Sequence, residues 1–545
     1  MINPKKLKNQ MLELKCEALG SNFEGICRYD GYTLFVDGAL PSEIIKARVE
    51  KCKKNYGFAK LIEIIKESPY RTNPICNYFG VCGGCSSQHI ENLYALQAKS
   101  NAIKDIYYKN AGIDIDVNLP IHLESNLHCR NKTSLPVREE NGQIKIGFFK
   151  KRSHDIVDIK TCPVAIKSID IILDVFRQWM KSYNISGYSE KDNAGIIRHI
   201  IVRNNKQGEI MIVIVATQTH IPYISDLVEL LKEKVNNFVS LYVNINSRTD
   251  NVILGEKNII VYGNEVLHQK FFNIEFEISP SSFMQVNNEL TESLYKAAIS
   301  MAKISRDSVC LDAYSGAGTI SLILAQNAKK VYGIEIVKDA VINAKKTASK
   351  HNINNTEFIA GKVEEELPKL IKSGVKIDFV MLDPPRKGIE SSVVEVIAAS
   401  NISNVVYISC NPATQSRDVA LFSKHGYKLC KLQPVDMFPF TAEVETVALL
   451  SKLDVDKHID VEIKLDELNL TSAESKATYA QIKEYILEKF NLKVSTLYIA
   501  QIKKKCGIEL REHYNKSKKE KQVIPQCTPE KEEAIMDALR HFKMI

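Results

Sequence analysis

One cysteine of this chain stands where a buried strand is predicted to end, and carboxylates return further along the chain. The apolar run 404–408 leads into Ser409-Cys410-Asn411-Pro412, where Asn-Pro predicts a turn. Glu443 and Glu445 precede a second apolar run, and a period of two predicts that they share one strand face. A thiol beside a carboxylate suits covalent catalysis with proton abstraction. Taken alone, a strand cysteine is more often a small core residue, so the surrounding sequence has to decide.

A glycine turn after an earlier predicted strand indicates a nucleoside site on the same sheet. The strand 308–312 runs into Asp312-Ala313-Tyr314-Ser315-Gly316-Ala317-Gly318-Thr319, and the following strand ends on Glu335. Glycines admit a ligand close to the backbone, and a carboxylate there accepts hydrogen bonds from ribose hydroxyls. The turn lacks a third glycine, and Asp312 would repel a pyrophosphate, which favours the cationic, phosphate-free S-adenosylmethionine. Asp383 ends another predicted strand beside the same crevice.

A second group of cysteines has the spacing of metal ligands. Cys76, Cys82 and Cys85 lie beside a Gly-Gly pair, and Cys162, followed by a proline, is the best candidate for a fourth ligand. An iron-sulfur cluster and a zinc ion both accept four thiolates, so the spacing leaves both alternatives open. Three unligated cysteines so close together would be unusual.

The positions of these residues predict a multidomain α/β protein. Residues 1–67 hold five short strands with glycine punctuation, which predicts an OB-like β-barrel. Residues 68–268 predict a central α+β domain that contains the four cysteines, with strands expected near 117–123 and 130–138. Residues 269–452 alternate strands and helices and predict a Rossmann-like parallel sheet. Residues 453–545 are rich in Lys and Glu and predict a small helical extension, with a capping box at Thr471-Ser472-Ala473-Glu474.

Basic residues are concentrated at places that suit contact with RNA. Around the fourth barrel strand they alternate with aromatics: Lys46, Arg48, Lys51, Lys53, Lys54, Tyr56, Phe58 and Lys60. Lysines at a strand edge also discourage aggregation, so both interpretations stand. Arg130, Lys132 and Arg203 are candidate phosphate contacts in the central domain, and a basic helix near 495–505 suggests a further RNA or ribosome contact.

The overall composition is that of an ordinary globular protein. Of 545 residues, 45% are hydrophobic and 25% charged, with a net charge of +8 that is too small to indicate a nucleic-acid partner by itself. The sequence contains no long apolar run and no signal-peptide pattern, so we expect a cytoplasmic protein without membrane contact. Thirteen cysteines are too few for a disulfide scaffold.

Taken together, these motifs resemble the RNA (uracil-5-)-methyltransferase family, and within it the iron-sulfur branch that modifies 23S ribosomal RNA. The resemblance covers residues 11–452. The motifs that carry it, besides the four cysteines, are Ile278-Ser279-Pro280-Ser281-Ser282-Phe283-Met284-Gln285-Val286-Asn287, Asp312 to Thr319, Asp383-Pro384-Pro385-Arg386, Ser409-Cys410-Asn411-Pro412 and Asp436-Met437-Phe438-Pro439 through Val444-Glu445. The barrel is similar to the RNA-binding TRAM module of that family.

The resemblance implies a role for each matching residue. Cys410 would be the nucleophile and Glu445 the general base. The residues expected to contact S-adenosylmethionine are Gln285, Tyr314, Glu335 and Asp383, and those expected to hold a 4Fe-4S cluster are Cys76, Cys82, Cys85 and Cys162. Two positions depart from the family pattern: Glu443 replaces a frequent histidine, and Lys362 stands where an acid often contacts adenine.

The implied reaction is methylation of carbon 5 of a uridine that is flipped out of an RNA loop, through a covalent adduct between Cys410 and carbon 6. A loop of 23S ribosomal RNA is the expected partner, bound during ribosome assembly, and no obligate protein partner is evident. Two alternatives remain: a methyltransferase that acts on the T-loop uridine of transfer RNA, and a non-catalytic iron-sulfur RNA-binding protein.

Overall fold

The computed structural model describes residues 4–140, 142–452, 479–490, 492, 494–506 and 528–542. The chain divides into two compact units, Met1–Val455 and Asp456–Ile545. The predicted capping box at 471–474 lies outside the described residues. Within the described part of the chain, no helix is long and apolar enough to cross a membrane.

The amino-terminal strands form the predicted five-stranded closed barrel, in the order β1-β2-β3-β5-β4. Alternate residues of the strands point into its core, as in β1, where Leu12, Leu14 and Cys16 are buried and their neighbours are exposed. The elements are α1 (Pro4–Leu7), β1 (Met11–Leu19), β2 (Gly25–Tyr29), β3 (Tyr32–Asp37), β4 (Ile44–Cys52) and β5 (Tyr56–Lys66).

The central part of the chain is built on a seven-stranded mixed sheet in the order β12-β11-β10-β9-β6-β7-β8. Its elements are α2 (Asn92–Ala111), β6 (Lys132–Glu140), β7 (Gln143–Phe149), β8 (Ile156–Asp158), α3 (Ile169–Ser182), β9 (Ile197–Asn204), β10 (Ile210–Ala216), α4 (Ile224–Lys234), β11 (Phe238–Ile245) and β12 (Lys257–Gly263). Trp179 of α3 is fully buried in the core of this sheet. The strand expected at 117–123 is wrong, because only Ile121 pairs there, in a single bridge to Val435.

The third part of the chain is the doubly wound α/β fold that carries the candidate site. After the hairpin β13 (Leu267–Phe271) and β14 (Ile274–Ile278), its elements are α5 (Asn288–Ala302), β15 (Val309–Ala313), α6 (Thr319–Ala325), β16 (Lys330–Glu335), α7 (Lys338–Lys350), β17 (Thr356–Ala360), α8 (Val363–Lys372), β18 (Phe379–Leu382), α9 (Ser391–Ala399), β19 (Asn404–Ser409), α10 (Pro412–Lys424), β20 (Tyr427–Val435) and β21 (Glu445–Lys452).

The seven-stranded sheet of this fold has the order β17-β16-β15-β18-β19-β21-β20. Strands β15 to β19 pair in parallel, whereas β21 runs antiparallel to both of its neighbours. Apolar helices cover both faces, so the central strands β15, β18, β19 and β21 are almost continuous buried runs. The parallel strands all end at one edge, where ligands bind in such sheets.

In the second unit, the described residues form the helices α11 (Tyr479–Phe490), α12 (Thr496–Lys505) and α13 (Pro529–His541). They share a small core that includes Ile482, Ile486, Ile499 and Ile535. The predicted basic helix at 495–505 therefore forms within a residue of its expected position.

Candidate active site

Cys410 is held at the turn between β19 and α10. The Asn411 side chain caps α10 by accepting a hydrogen bond from the backbone N–H of Ala413, at 3.1 Å, and Pro412 occupies the first helical turn. Ser409 pairs with Thr446 at the last step of the β19–β21 ladder. Cys410 comes directly after Ser409, and Glu445 comes directly before Thr446. Because the two strands are antiparallel, this pairing brings the predicted nucleophile and the predicted base together.

The two candidate bases differ sharply in their surroundings. Glu445 is the first residue of β21 and is 4% exposed, whereas the Glu443 side chain is 48% exposed in the preceding loop. The prediction that both share one strand face is wrong, because β21 begins only at Glu445. Burial raises the pKa of Glu445 to about 8, and the nearby Asp383 carboxylate adds to the increase. Glu445 is therefore a carboxylate whose proton affinity suits proton transfer near neutral pH.

Arg386 is a residue of this site to which sequence reasoning gave no role. Its backbone carbonyl accepts hydrogen bonds from Asn411 Nδ2 and Thr414 Oγ1, both at 3.2 Å, so its loop is fixed against the Cys410 turn. Burial raises the pKa of the Cys410 thiol, and Glu445 raises it further. The Arg386 guanidinium opposes both effects through its charge and a hydrogen bond to the thiol. Its presence in the motif after Asp383 was the available signal.

A buried glutamine joins the elements around the two reactive side chains. Gln415 of α10 is inaccessible to solvent and donates from Nε2 to the Tyr407 carbonyl of β19, at 2.8 Å. It also donates to the Thr446 carbonyl of β21, at 3.3 Å, and accepts a hydrogen bond from the Tyr107 hydroxyl of α2, at 2.7 Å. Because buried amides require such partners, this network fixes β19, β21, α10 and α2 to one another.

The glycine turn and Glu335, which are the predicted nucleoside contacts, are joined by hydrogen bonds at the edge of the sheet. The Glu335 carboxylate accepts hydrogen bonds from the backbone N–H groups of Gly316, at 2.9 Å, and Val337, at 2.8 Å. Gly318 has φ +78°, and a Cβ atom there would lie 2.8 Å from Ala344 and 2.9 Å from Phe358. Only glycine fits this position, so the turn packs directly against α7 and β17.

Two further carboxylates stand at the same edge of the sheet. Asp312 is buried at the end of β15 and accepts a hydrogen bond from Ser321 Oγ at 2.5 Å, and burial raises its pKa to about 7. Asp383 follows β18, and burial of its carboxylate likewise raises its pKa to about 7. Among the described residues, four buried polar atoms here have no hydrogen-bond partner in the protein: Asn287 Nδ2, Asp312 Oδ1, Tyr314 Oη and Ser315 Oγ.

The other residues that were predicted to contact the cofactor or RNA have different surroundings. Gln285 is buried, and its carbonyl accepts a hydrogen bond from Asn131 Nδ2 at 2.8 Å. Two residues earlier, Phe283 is 82% exposed, an aromatic side chain to which sequence reasoning assigned no separate role. Lys362 forms an ion pair with Glu365, at 3.2 Å, on an exposed surface. The phosphate contact predicted for Arg203 is wrong, because its buried guanidinium donates to the Ser279 and Pro280 carbonyls.

The four cysteines of the predicted metal site line one cavity of about 230 Å³. They are Cys76, Cys82, Cys85 and Cys162, and each is a free thiol. Burial raises the pKa of Cys85 to about 12, and the other three thiols are close enough to add to this increase. In the described ranges, however, no three His, Cys, Asp or Glu side chains are grouped closely enough to hold one metal ion. The thiols therefore share a cavity without closing around a single-ion site.

Comparison with known proteins gives the class of this enzyme. An uncharacterized RNA methyltransferase of Clostridium acetobutylicum is 40% identical over 451 residues, which cover 82% of this chain and 98% of that protein. A similarly named protein of Caldanaerobacter subterraneus is also 40% identical, over 81% of this chain and 98% of its own. The doubly wound fold with a thiol and acids at its edge is thus that of an RNA methyltransferase.

The family follows from the sequence and the fold together. The family model for tRNA (Uracil-5-)-methyltransferase matches residues 91–453, and the family model for the TRAM domain matches residues 5–62. The crystal structure of Pyrococcus abyssi tRNA (uracil-54, C5)-methyltransferase in complex with S-adenosyl-L-homocysteine superposes with a TM-score of 0.65 and 26% identity, over 80% of this chain and 99% of that one. The chain belongs to the tRNA (uracil-5-)-methyltransferase family.

Proposed function

We propose that the protein methylates carbon 5 of a uridine in 23S ribosomal RNA, with S-adenosylmethionine as the methyl donor. The observation that carries the proposal is the arrangement of Cys410, Arg386 and Glu445 at the carboxyl edge of the sheet. A thiol, a cation that favours its thiolate and a buried carboxylate of raised pKa are the groups that substitution at an unreactive ring carbon requires.

In the proposed mechanism, the Cys410 thiolate adds to carbon 6 of the uracil and forms a carbon-sulfur bond. The resulting enolate makes carbon 5 nucleophilic. Bound S-adenosylmethionine would supply the methyl group that carbon 5 takes up and would leave as S-adenosylhomocysteine. Glu445 then removes the carbon 5 proton, the electron pair re-forms the ring double bond, and the carbon-sulfur bond breaks to return the thiolate. Arg386 stabilises the thiolate at the first and last steps.

The residues around the glycine turn fit S-adenosylmethionine. Glu335 and Gln285 are proposed to contact the ribose and the amino-acid part, together with Tyr314 and Asp383. The unpartnered buried atoms of Asn287, Asp312, Tyr314 and Ser315 support this proposal, since buried polar groups without partners are rare outside ligand sites. Asp312 and Asp383 also give the crevice an acidic character suited to a sulfonium cation.

The four-cysteine cavity is proposed to hold a 4Fe-4S cluster, with zinc as the alternative. Cys76, Cys82, Cys85 and Cys162 supply four thiols, and no carboxylate lines the cavity, which is the donor set of these metals. A cavity of about 230 Å³ exceeds several-fold the roughly 30 Å³ that one water molecule occupies, so its size favours a cluster over a single ion.

The barrel and the central part, assigned here to residues 1–67 and 68–268, are proposed to bind the RNA, and residues 269–452 to methylate it. Phe35, Tyr56 and Phe58 form an aromatic group on the barrel, with ring centroids 5.7 to 5.8 Å apart. The Arg152 guanidinium lies 5.7 Å from the Phe58 ring. Such a surface offers stacking and positive charge to unpaired bases. The helical extension, 453–545, is proposed as a separate accessory domain.

Transfer RNA is the second candidate substrate, because the similar Pyrococcus abyssi enzyme is named for a transfer RNA uridine. Purified enzyme should be incubated with labelled S-adenosylmethionine and with 23S RNA or tRNA transcripts, and 5-methyluridine should be mapped by mass spectrometry. The proposal predicts label in the 23S transcript and loss of the same 5-methyluridine from a strain that lacks the protein. Label confined to tRNA would replace this proposal with the second candidate.

A further inference from the structure

The loop between β20 and β21 connects the candidate active site to the four-cysteine cavity. We call residues 436–444 the base loop, since Glu445 follows it directly. Phe440, within this loop, has φ +61°, a left-handed conformation that is unfavourable for residues other than glycine. A backbone in this conformation persists only when surrounding contacts impose it.

The residues that hold Phe440 in this conformation directly follow Cys85 in the sequence. The backbone N–H groups of Ser86 and Ser87 both donate to the Phe440 carbonyl, at 2.8 and 3.1 Å. Ser86 is bonded directly to Cys85. Gln88, which follows Ser87, donates from Nε2 to Cys85 Sγ, at 3.3 Å, and accepts from the backbone N–H of Cys76, at 3.1 Å. The segment 85–88 therefore contacts two cysteines of the cavity and the base loop at once.

A buried lysine holds both ends of the same loop. Lys99 Nζ of α2 lies 2.5 Å from Asp436 Oδ1 and donates to the Glu443 carbonyl at 2.8 Å. The two side chains are only 3% and 4% exposed, so water does not weaken this pair. The Arg130 guanidinium, which also lines the cysteine cavity, lies 5.2 Å from the ring of Phe438 in the middle of the loop.

We propose that the four-cysteine centre controls proton removal by positioning the base loop through the segment 85–88. When Cys76 and Cys85 are held together, Ser86 and Ser87 present two N–H groups to Phe440, and the loop delivers Glu445 to its place opposite Cys410. When the centre is disrupted, the segment loses its anchor, and the loop keeps its contacts with Lys99, Arg130 and Arg386 but loses the hydrogen bonds from Ser86 and Ser87. Formation of the RNA adduct needs Cys410 and Arg386 and is retained, whereas release of methylated RNA is slowed.

Hydrogen exchange of the full-length protein, purified without oxygen, tests this coupling. Wild type, Cys85→Ala and the control Cys430→Ala are compared, since Cys430 is an exposed cysteine of β20 outside the cavity. In Cys85→Ala, amides of residues 437–444 should exchange at least about tenfold faster, while those of β10 in the central sheet exchange as in wild type. Cys430→Ala should match wild type throughout.

The proposal is overturned if the amides of the base loop exchange at the wild-type rate in Cys85→Ala. It is also overturned if they exchange faster only together with the amides of β10. If Cys85→Ala does not fold, Gln88→Leu takes its place, because it leaves all four thiols intact and removes only the side-chain hydrogen bonds of Gln88 with Cys85 and Cys76. This inference rests on the proposed function, because the step that it affects is the removal of the carbon 5 proton by Glu445. Hydrogen exchange needs no turnover, so a wild type that forms no RNA adduct would refute the proposed function while the exchange result still decides the coupling.

Discussion

The Arg386 guanidinium donates a hydrogen bond to the Glu443 carboxylate, with 3.0 Å between Nη2 and Oε2. This contact separates the roles of two glutamates that stand only two positions apart. Glu443 is half exposed and pairs with Arg386, which holds the guanidinium beside Cys410. Glu445 is buried near Asp383, which favours a carboxylate that accepts a proton.

Removal of the thiol should abolish the covalent step. Cys410→Ala should form no adduct with RNA that contains 5-fluorouridine, and its methylation rate should fall by at least about 10³-fold, because the nucleophile is lost. Denaturing gel electrophoresis with labelled RNA measures the adduct. Cys310→Ala, which changes a buried cysteine of β15, is the matched control and should retain adduct formation. An adduct that persists in Cys410→Ala would require another nucleophile.

Arg386 should set the reactivity of this thiol. Its charge and hydrogen bond lower the pKa of Cys410 against the effects of burial and of Glu445, so Arg386→Ala should raise that pKa. Alkylation of the free enzyme by iodoacetamide, followed against pH at Cys410 by mass spectrometry, should then shift to higher pH. Lys387→Ala removes the neighbouring exposed cation and is the control. Equal pH profiles for wild type and Arg386→Ala would exclude this role.

Release of the product should depend on pH through Glu445. Its pKa, about 8 in the folded protein, lies above the ordinary value of roughly 4.3, so only the deprotonated fraction can act as the base. The single-turnover rate of adduct breakdown should rise with pH and level off above about 8. A rate that stays constant from pH 6 to pH 9 would contradict the assignment.

The same titration gives a stability measurement that needs no substrate. The unfolded state loses this proton near pH 4 and the folded state near pH 8, so burial of Glu445 costs stability increasingly over that interval. Glu445→Gln should therefore raise Tm relative to wild type more at pH 8 than at pH 5.

The cysteine cavity should bind iron in protein purified without oxygen. We expect about four iron atoms per chain and visible absorbance from thiolate-to-iron charge transfer, both lost in Cys82→Ala. Elemental analysis measures the iron content of each protein. Cys430→Ala, which leaves the cavity intact, is the control and should match wild type. One zinc atom per chain without visible absorbance would support the alternative metal.

The sequence was sufficient to predict the barrel, the parallel sheet and the edge at which the site lies. Those features depend on local periodicity, on glycine turns and on the rule that parallel strands end together. The different burial of Glu443 and Glu445 was not predictable from periodicity, because it depends on where β21 begins after the left-handed turn at Phe440. The Lys99–Asp436 pair joins positions 337 residues apart, and no local pattern indicates it. Apolar residues at 117–123 suggested a strand, yet they pack without a partner ladder.

The assignment of Glu445 as the base can be tested directly by comparing two variants. Glu445→Gln and Glu443→Gln are incubated with RNA and S-adenosylmethionine, and the protein-bound RNA is analysed by mass spectrometry. Glu445→Gln should accumulate a covalent adduct that already carries the new methyl group, because the carbon 5 proton cannot leave. Glu443→Gln should release its methylated product. Accumulation of the methylated adduct in Glu443→Gln, with normal release in Glu445→Gln, would contradict the assignment.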